Sequence, residues 1–375
     1  MSAVSNALIV GGGIAGMTLA IGLQRAGIRS EIVELNSQWN VLGVGIGLQG
    51  AALRALRVVD VLDQCVELGF GYSHFKACNA DGQVTGMVEL PRLNGADYPG
   101  AIGIMRQALH SVLKEAVARA RVPVRLGVTV ASLAQHDDRV AVRFTDGTHN
   151  SYELVVGADG ANSKIRELVF GTECSPKYTG QAVWRATVSR PAEVKGRYSF
   201  YGPRNKAGFN PVSSSEMYVY LTQNLPDFVR ISDGRLPQAL REQLTDFRGL
   251  LAAAREEISD PKHIVYRPIT SHILRPPWHR GRVILVGDAA HTTTPHMAAG
   301  AGIAVEDAVV LAQLLQSEHM LRVALEKFMT RRFDRCRMVV ENSFQLGEWE
   351  KNPNARDADP VGLVDTSYRA LAQPI

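Results

Sequence analysis

Several features are scarce in this 375-residue sequence, and each scarcity excludes a class of protein. Its four cysteines lie far apart and form no Cys-x-x-Cys pair, which argues against a disulfide framework and favours a reducing compartment. No uncharged apolar run reaches the roughly 18 residues that a membrane-spanning helix needs. The N-terminal apolar run is interrupted by glycines and lacks the basic start of a signal peptide. We therefore expect a cytoplasmic protein that does not bind membranes.

Runs of like charge are also missing. The sequence has 41 Lys and Arg against 37 Asp and Glu, a net charge of +4. A nucleic-acid-binding surface needs clustered basic residues, so no nucleic-acid partner is expected. The mild positive balance is compatible with anionic small molecules. With 46% hydrophobic residues, the composition is that of a globular protein, and the length predicts two or three domains.

The beginning of the chain carries a dinucleotide-binding pattern. A buried strand is predicted over 7–10, a Gly-x-Gly-x-x-Gly turn over 11–16 and a helix over 14–25. The glycines let a pyrophosphate approach the backbone, and the helix N-terminus offers free N–H groups. A second strand over 30–35 carries Glu34, 18 residues after the last of these glycines, where a carboxylate can accept hydrogen bonds from a ribose. The alternative is a merely tight turn between strand and helix.

Two later strands end in the same way. The segment ELVVGADGANSKIR at 153–166 predicts a buried strand followed by an Asp-Gly pair at 159–160. The segment RVILVGDAAH predicts another, ending in a Gly-Asp pair at 287–288. In a parallel sheet these ends converge on the carboxyl edge, where ligands of open α/β folds bind. One extended cofactor contacted at several points explains all three glycine-bearing strand ends.

Two histidines follow the third strand. His291 and His296 are five positions apart, do not share a helix face, and have Pro295 between them. No third ligand lies near in sequence, so we predict no metal site. We expect His291 to be a structural histidine.

The middle of the chain has a different pattern. Between Cys174 and Arg267, short runs alternate apolar and polar residues, which is typical of antiparallel strands with one buried face. Six aromatic residues of this region suit a sheet that floors a pocket for a flat ring: Tyr198, Phe200, Tyr201, Phe209, Tyr218 and Tyr220. Ordinary sheet packing is the alternative for each of them.

The three motifs at 11–16, 159–166 and 287–288, in this order, resemble the single-component (group A) FAD-dependent aromatic hydroxylases. The sequence is most similar to the salicylate, 6-hydroxynicotinate and urate hydroxylase branch. The resemblance implies an α/β fold like that of para-hydroxybenzoate hydroxylase. This fold has a Rossmann-like FAD-binding domain, an inserted antiparallel-sheet substrate domain and a long C-terminal helix.

The same resemblance implies a reaction. NADH or NADPH, bound transiently, would reduce FAD, and O2 would form a flavin C4a-hydroperoxide. That species would hydroxylate an electron-rich aromatic or N-heteroaromatic small molecule. No second nucleotide fingerprint is present, so the choice between NADH and NADPH stays open. A monomer or homodimer is expected.

The resemblance and the composition together divide the chain. The FAD-binding domain is expected in three parts, 1–70, 101–175 and 269–375. The substrate domain is expected to combine an insertion over 71–100 with a β-sheet domain over 176–268. A long amphipathic helix is predicted near the C-terminus, and the chain after Asn352 is expected to be a loose tail.

By resemblance, Asp288 would bind the ribityl chain, Asp159 would tie the FAD domain together, and the segment from Pro295 would wrap the flavin ring. Ala298, where many relatives have glycine, is expected to have little consequence because alanine is small. The residues expected to bind the cofactor are Gly11, Gly13, Ile14, Ala15, Gly16, Glu34, Leu35, Gly45, Ile46, Arg106, Val130, Asp159, Gly160, Gly287, Asp288, Pro295, Gly300, Ala301 and Gly302.

The resemblance also suggests substrate contacts. His296 and Tyr218 are the candidate catalytic residues, and they are expected to contact substrate together with Lys206 and Arg185. Lys206 stands where the urate hydroxylase branch has an arginine, and a lysine cannot form a bidentate fork, which puts urate itself in doubt. The alternatives are a solvated lysine and a structural histidine.

Two other functions stay open. The first keeps the fold but changes the chemistry to that of an epoxidase, reductase or halogenase. Against the halogenase, no two of the four tryptophans are two positions apart, as the halogenase Trp-x-Trp signature requires. The second is an NAD-dependent dehydrogenase or a non-catalytic nucleotide-binding module, which the Asp-Gly and Gly-Asp motifs disfavour.

Overall fold

The computed structural model describes residues 2–41 and 43–375. Among these residues, no helix is both long and apolar enough to cross a lipid bilayer. The α-helices are α1 (Ile14–Arg25), α2 (Gly50–Val58), α3 (Leu62–Leu68), α4 (Arg106–Arg119), α5 (Lys164–Phe170), α6 (Leu236–Gln243), α7 (Gly249–Glu257), α8 (Gly300–Ser317), α9 (Leu321–Lys351) and α10 (Pro360–Ala372). The β-strands are β1 (Asn6–Val10), β2 (Arg29–Glu34), β3 (Gly45–Gln49), β4 (Phe70–Tyr72), β5 (His74–Asn79), β6 (Val84–Glu89), β7 (Ala101–Met105), β8 (Val124–Leu126), β9 (Val130–Gln135), β10 (Val140–Phe144), β11 (His149–Tyr152), β12 (Leu154–Gly157), β13 (Lys177–Ser189), β14 (Arg197–Tyr201), β15 (Lys206–Pro211), β16 (Glu216–Asn224), β17 (Ile264–Ile273), β18 (His279–Arg280), β19 (Val283–Leu285) and β20 (His291–Thr292).

A six-stranded sheet in the order β18-β19-β12-β1-β2-β8 forms the Rossmann-like part of the molecule. Its strands are parallel except for β18. Strands β1, β12 and β19 are short apolar runs and are almost entirely buried, as expected for a parallel sheet covered on both faces. The three strands are neighbours, so the glycine-bearing segments after them meet at one edge. The predicted α/β fold class is confirmed.

An eight-stranded sheet in the order β20-β17-β13-β16-β15-β14-β5-β6 lies beside this edge. Most pairs are antiparallel, while β14 and β5 are parallel, so residues 74–89 join the sheet formed later in the chain. One face packs apolar side chains against α6 and α7, among them Trp184, Phe209 and Leu221. The opposite, more polar face is turned toward the six-stranded sheet. The exact domain boundaries stay a prediction.

The C-terminal part corrects one expectation. The long helix is present as α9, but the chain after Asn352 is not a loose tail, because residues 360–372 form α10. Tyr368 and Leu371 of α10 are each 5% exposed. Arg54 and Arg335 donate hydrogen bonds to backbone carbonyls at the C-terminal end of α10. The negative end of the helix dipole lies there, and it attracts these two cations. The Pro and Asp residues suggested a loop, but Asp359 caps α10 by accepting a hydrogen bond from Gly362 N, and Pro360 lies in its first turn.

Candidate active site

A cavity of about 450 Å³ lies between the carboxyl edge of the six-stranded sheet and the polar face of the eight-stranded sheet. This size is typical of small-molecule sites. The predicted cofactor residues that line it are Gly13, Ile14, Ala15, Gly45, Ile46, Arg106, Gly160, Asp288, Pro295, Gly300 and Ala301. All four predicted substrate residues also line it: Arg185, Lys206, Tyr218 and His296.

The glycines of the turn have two different roles, close packing and access for a pyrophosphate. A Cβ added at Gly16 would lie 2.0 Å from the Gly11 carbonyl oxygen, and one at Gly11 would lie 2.4 Å from the Ala158 carbonyl oxygen. Gly16 therefore lets α1 pack closely against the turn, and Gly11 lets the turn approach the segment that follows β12. A Cβ at Gly13 would meet nothing within 4 Å, although Gly13 lines the cavity at the uncapped N-terminus of α1. This open position gives a pyrophosphate access to the helix N–H groups.

Glu34 is fixed by the backbone around it. Its carboxylate accepts hydrogen bonds from Gly12 N at 2.8 Å and Asn36 N at 2.9 Å. The Trp39 indole N–H donates to the Gly12 carbonyl and so covers the turn. Of the other predicted cofactor residues, Leu35 is 65% exposed and Val130 is buried at the start of β9. Glu34, Leu35 and Val130 are not part of the cavity wall.

Asp159 acts within the protein. It accepts hydrogen bonds from the Ser163 hydroxyl and from Lys164 N and Ile165 N at the start of α5. Burial raises the pKa of this carboxyl, and the hydrogen bond from Ser163 opposes the rise. Arg166, from the same motif, donates to the Ala289 carbonyl at 2.9 Å. The two later motifs are thus joined, while the Asp159 carboxylate lies outside the cavity wall.

Two charged groups of the wall lack strong partners. Asp288 is exposed to the cavity. The surrounding protein raises the pKa of its carboxyl by desolvation, while His291 and Arg106 lower it. Burial lowers the pKa of Arg106, and nearby Arg185 lowers it further. Arg106 Nε has no hydrogen-bond partner among the described residues. These groups are suited to bind a polar, partly anionic cofactor.

The loop before α8 is held from two sides. Tyr368 OH donates to the Met297 carbonyl at 2.6 Å, and Gln49 Nε2 donates to the Ala298 carbonyl at 2.8 Å. Ala298 has a φ of +53°, in the left-handed region, which costs a non-glycine residue roughly 1–2 kcal/mol. The expectation that alanine matters little here considered only its size and missed this conformation. Helix α8 begins at Gly300, with its N-terminus at the cavity.

His291 lies in a buried network beneath the loop. Its Nε2 is 2.6 Å from Asp307 Oδ2, which also accepts from Gly287 N. Asp307 Oδ1 pairs with Arg332 Nε at 2.7 Å, and Cys336 lies beside it. The potential ligand atoms of His291, Asp307 and Cys336 lie within 4.8 Å of one another, but a guanidinium already supplies positive charge there. The geometry favours a structural ion-pair network that joins α8 to α9.

His296 is part of a different network, which faces the cavity. Its Nε2 lies 3.2 Å from Glu350 Oε2, and Glu350 Oε1 lies 2.7 Å from Lys206 Nζ. Lys206 is 7% exposed, so it is not the solvated lysine considered above. Its charge is balanced by Glu350, which also accepts from the Thr222 hydroxyl. Sequence reasoning missed Glu350 because nothing in the pattern of α9 distinguishes it.

The aromatic residues of the sheet divide between its faces. Tyr218 and Tyr220 line the cavity. Tyr198, Phe200 and Phe209 pack instead against the core under α6 and α7, so the prediction that all six floor the pocket is wrong for these three. Side chains alternate along a strand, and the sequence alone did not fix which face each one takes. The Tyr201 ring lies 5.6 Å from Lys206 Nζ.

The site residues fit FAD. The open cradle at Gly13 suits its pyrophosphate, and the incompletely paired Arg106 and Asp288 suit its polar chain and ring. The sequence profile of a family described as FAD binding domain matches residues 5–343 of this chain.

Curated relatives and solved structures agree with this match. The chain is 32% identical over 351 residues to 2-heptyl-3-hydroxy-4(1H)-quinolone synthase of Pseudomonas aeruginosa, with 92% of this chain and 90% of the relative covered. It is 29% identical over 350 residues to FAD-dependent urate hydroxylase of Klebsiella oxytoca, with 89% and 88% covered. The fold is similar to that of Klebsiella pneumoniae HpxO complexed with FAD and uric acid. That comparison has a TM-score of 0.84 at 23% identity and covers 98% of this chain and 92% of the other. The chain therefore belongs to the FAD-binding-domain family and is an FAD-dependent monooxygenase of the single-component aromatic hydroxylase type.

Proposed function

We propose that the protein hydroxylates an electron-rich aromatic or N-heteroaromatic ring that carries an ionisable hydroxyl group, with NADH or NADPH as electron donor. O2 would be the oxygen source, and FAD, when bound and reduced, would activate it for transfer to the ring. One observation carries the proposal: a single cavity is lined both by cofactor-type positions such as Gly13 and by Tyr218 and His296. The ring would therefore bind next to the flavin, against the polar face of the sheet.

His296 lines the cavity and remains the candidate base for the ring hydroxyl, although its side chain is enclosed by Thr294 and Glu350. Its Nδ1 lies 2.8 Å from Thr294 Oγ1, which in turn lies 2.8 Å from Ser343 Oγ. Ser343 Oγ donates to the Thr294 carbonyl at 2.7 Å, so Thr294 Oγ1 donates to Ser343 and accepts from His296 Nδ1–H. The other ring nitrogen, Nε2, lies 3.2 Å from the Glu350 carboxylate. A deprotonated ring is a better nucleophile, so a base in this wall would speed oxygen transfer.

The test is oxidation of NADH and NADPH by the FAD-loaded protein with hydroxybenzoates, hydroxypyridines, quinolones and purines under 18O2. A compound that accelerates oxidation and gains one 18O atom by mass spectrometry supports the proposal. Acceleration that yields only hydrogen peroxide for every compound contradicts hydroxylation of these classes. The absence of any acceleration contradicts it as well.

Variants test the two pocket residues. Tyr218→Phe and His296→Gln should lower the rate of product formation by about a hundredfold to ten-thousandfold and raise the share of peroxide. Tyr198→Phe is the matched control, because Tyr198 lies on the same sheet but faces the opposite core. If both pocket variants keep the substrate affinity and the coupling of the wild type, the pocket is assigned wrongly.

Assembly and location stay predictions. A monomer or homodimer is expected, and analytical ultracentrifugation of the FAD-loaded protein measures the assembly. Cytoplasmic location is checked by fractionation of the source cells.

A further inference from the structure

We infer that Arg197 forms a subsite for a carboxylate group on the aromatic substrate. This inference rests on the proposed function and narrows its substrate class. Arg197 opens strand β14, is 9% exposed, and belongs to the cavity wall together with Tyr220 and Lys206. No motif of the sequence points to it.

Arg197 differs from the other buried cations of the described residues, which are Arg166, Lys206 and Arg332. Lys206 and Arg332 pair with buried carboxylates at 2.7–2.8 Å, and Arg166 donates to two backbone carbonyls. Within residues 2–41 and 43–375, no carboxylate lies within the 4.0 Å of an ion pair from Arg197. A buried charge without a counter-ion is destabilising by several kcal/mol. An anionic ligand in the adjoining cavity would remove that penalty.

The surroundings of Arg197 hold its side chain but do not neutralise it. The guanidinium lies 5.3 Å from the Phe75 ring centroid and 5.9 Å from that of Tyr220. The Tyr368 hydroxyl lies beside it and is already used as a donor to the loop. The two rings flank the guanidinium, and a guanidinium can bind a carboxylate through two parallel hydrogen bonds.

The charge balance of the wall points the same way. Its charged residues are Arg106, Arg185, Arg197, Lys206 and Asp288. Glu350, which is outside the cavity wall, neutralises the charge of Lys206. Asp288 partly compensates the charge of Arg106. The sheet face therefore keeps uncompensated positive charge. A carboxylate held there would fix one end of the ring and decide which carbon faces the flavin.

Benzoate and benzamide form a matched pair of probes, because they have the same shape and differ in charge. Isothermal titration calorimetry with the FAD-loaded protein should show benzoate binding at least about tenfold more tightly than benzamide. Arg197→Gln should weaken benzoate binding to the level of benzamide and leave benzamide unchanged, and Arg197→Lys should keep part of the preference. Arg204→Gln is the control, since Arg204 follows the same strand but is exposed and pairs with Asp246.

The inference is overturned if wild-type protein binds benzoate no more tightly than benzamide, absence of binding included. It is also overturned if Arg197→Gln retains the preference or weakens both probes equally, because Arg197 would then serve packing alone. Should Arg197→Gln fail to fold, the wild-type comparison and Arg197→Lys still decide.

These binding outcomes are independent of turnover, so the subsite and the proposed function can fail separately. If no ring gains oxygen but benzoate binding depends on Arg197, the proposed function fails and the subsite stands. If rings gain oxygen but benzoate binding does not depend on Arg197, the subsite fails and the proposed function stands.

Discussion

Glu350 Oε2 lies 3.2 Å from His296 Nε2, while the other oxygen of the same carboxylate lies 2.7 Å from Lys206 Nζ. One side chain of helix α9 therefore contacts both the loop before α8 and the floor of the cavity. Burial alone would raise the pKa of Glu350, but His296 and Lys206 overcome it and hold the pKa well below its usual range. The carboxylate is thus a fixed negative charge behind the proposed base.

Glu350→Gln should affect both stability and catalysis. It leaves Lys206 buried without a counter-ion, which should lower the free energy of unfolding by about 3–5 kcal/mol. It also removes the negative charge that lies 3.2 Å from His296 Nε2, so kcat should fall about tenfold to a hundredfold with a smaller change in KM. Denaturant unfolding and steady-state kinetics measure the two effects.

The double variant Lys206→Met/Glu350→Gln separates these effects. Because no unpaired charge remains buried, it should recover most of the lost stability while kcat stays low. Recovery of kcat together with stability would show that Glu350 acts only through packing.

Local patterns predicted the neighbouring strands of the six-stranded sheet. The Gly-x-Gly turn, Asp159 and Asp288 each follow a short apolar strand, and this adjacency in sequence is itself the signal. Parallel pairing then brings the three strand ends together without further information.

The substrate half depends on contacts that no local pattern encodes. Glu350 follows Lys206 by 144 residues, and the Tyr368 contact with Met297 spans 71. Alternation predicted strands but not their phase, so Tyr198 was placed on the wrong face. Arg197 was missed because an unpaired charge is recognisable only when its neighbours are known.

Gly13→Ala should impair only FAD binding, whereas Gly16→Ala should also lower the stability of the apoprotein. A Cβ at Gly13 meets no protein atom within 4 Å, so the apoprotein should keep its thermal midpoint but bind FAD much more weakly, since the methyl group obstructs the pyrophosphate. A Cβ at Gly16 would collide with the Gly11 carbonyl at 2.0 Å, so Gly16→Ala should destabilise the apoprotein as well. Thermal melts of apoprotein and FAD titrations distinguish them. An unstable Gly13→Ala apoprotein would contradict the division of tasks.

Tyr368→Phe tests whether α10 supports the flavin loop. It removes the hydrogen bond to the Met297 carbonyl and leaves that buried acceptor unpaired, at a cost of about 1–3 kcal/mol. Because the loop is part of the cavity wall, FAD affinity should fall along with stability. Tyr98→Phe is the control, since Tyr98 donates to the exposed Asp63 away from the cavity. Equal effects of the two variants on FAD affinity would exclude a specific role for α10.

Asp307 should make stability depend on acid pH. Burial alone raises the pKa of this carboxyl, but His291 and Arg332 lower it from 3.8 to about 2. A depressed pKa in the folded state means that the unfolded chain takes up protons first, so the stabilisation is complete above about pH 4 and is lost as the pH falls toward 2. The expected loss in the free energy of unfolding is about 2 kcal/mol.

Urea unfolding of wild type and Asp307→Asn from pH 6 to 2 measures this loss. The variant should be less stable at pH 6, and the difference should shrink below pH 4. Asp357→Asn, at an exposed position, should follow the wild-type curve. A difference for Asp307→Asn that is constant across this range would show that the Asp307 carboxylate does not stabilise the fold through its charge.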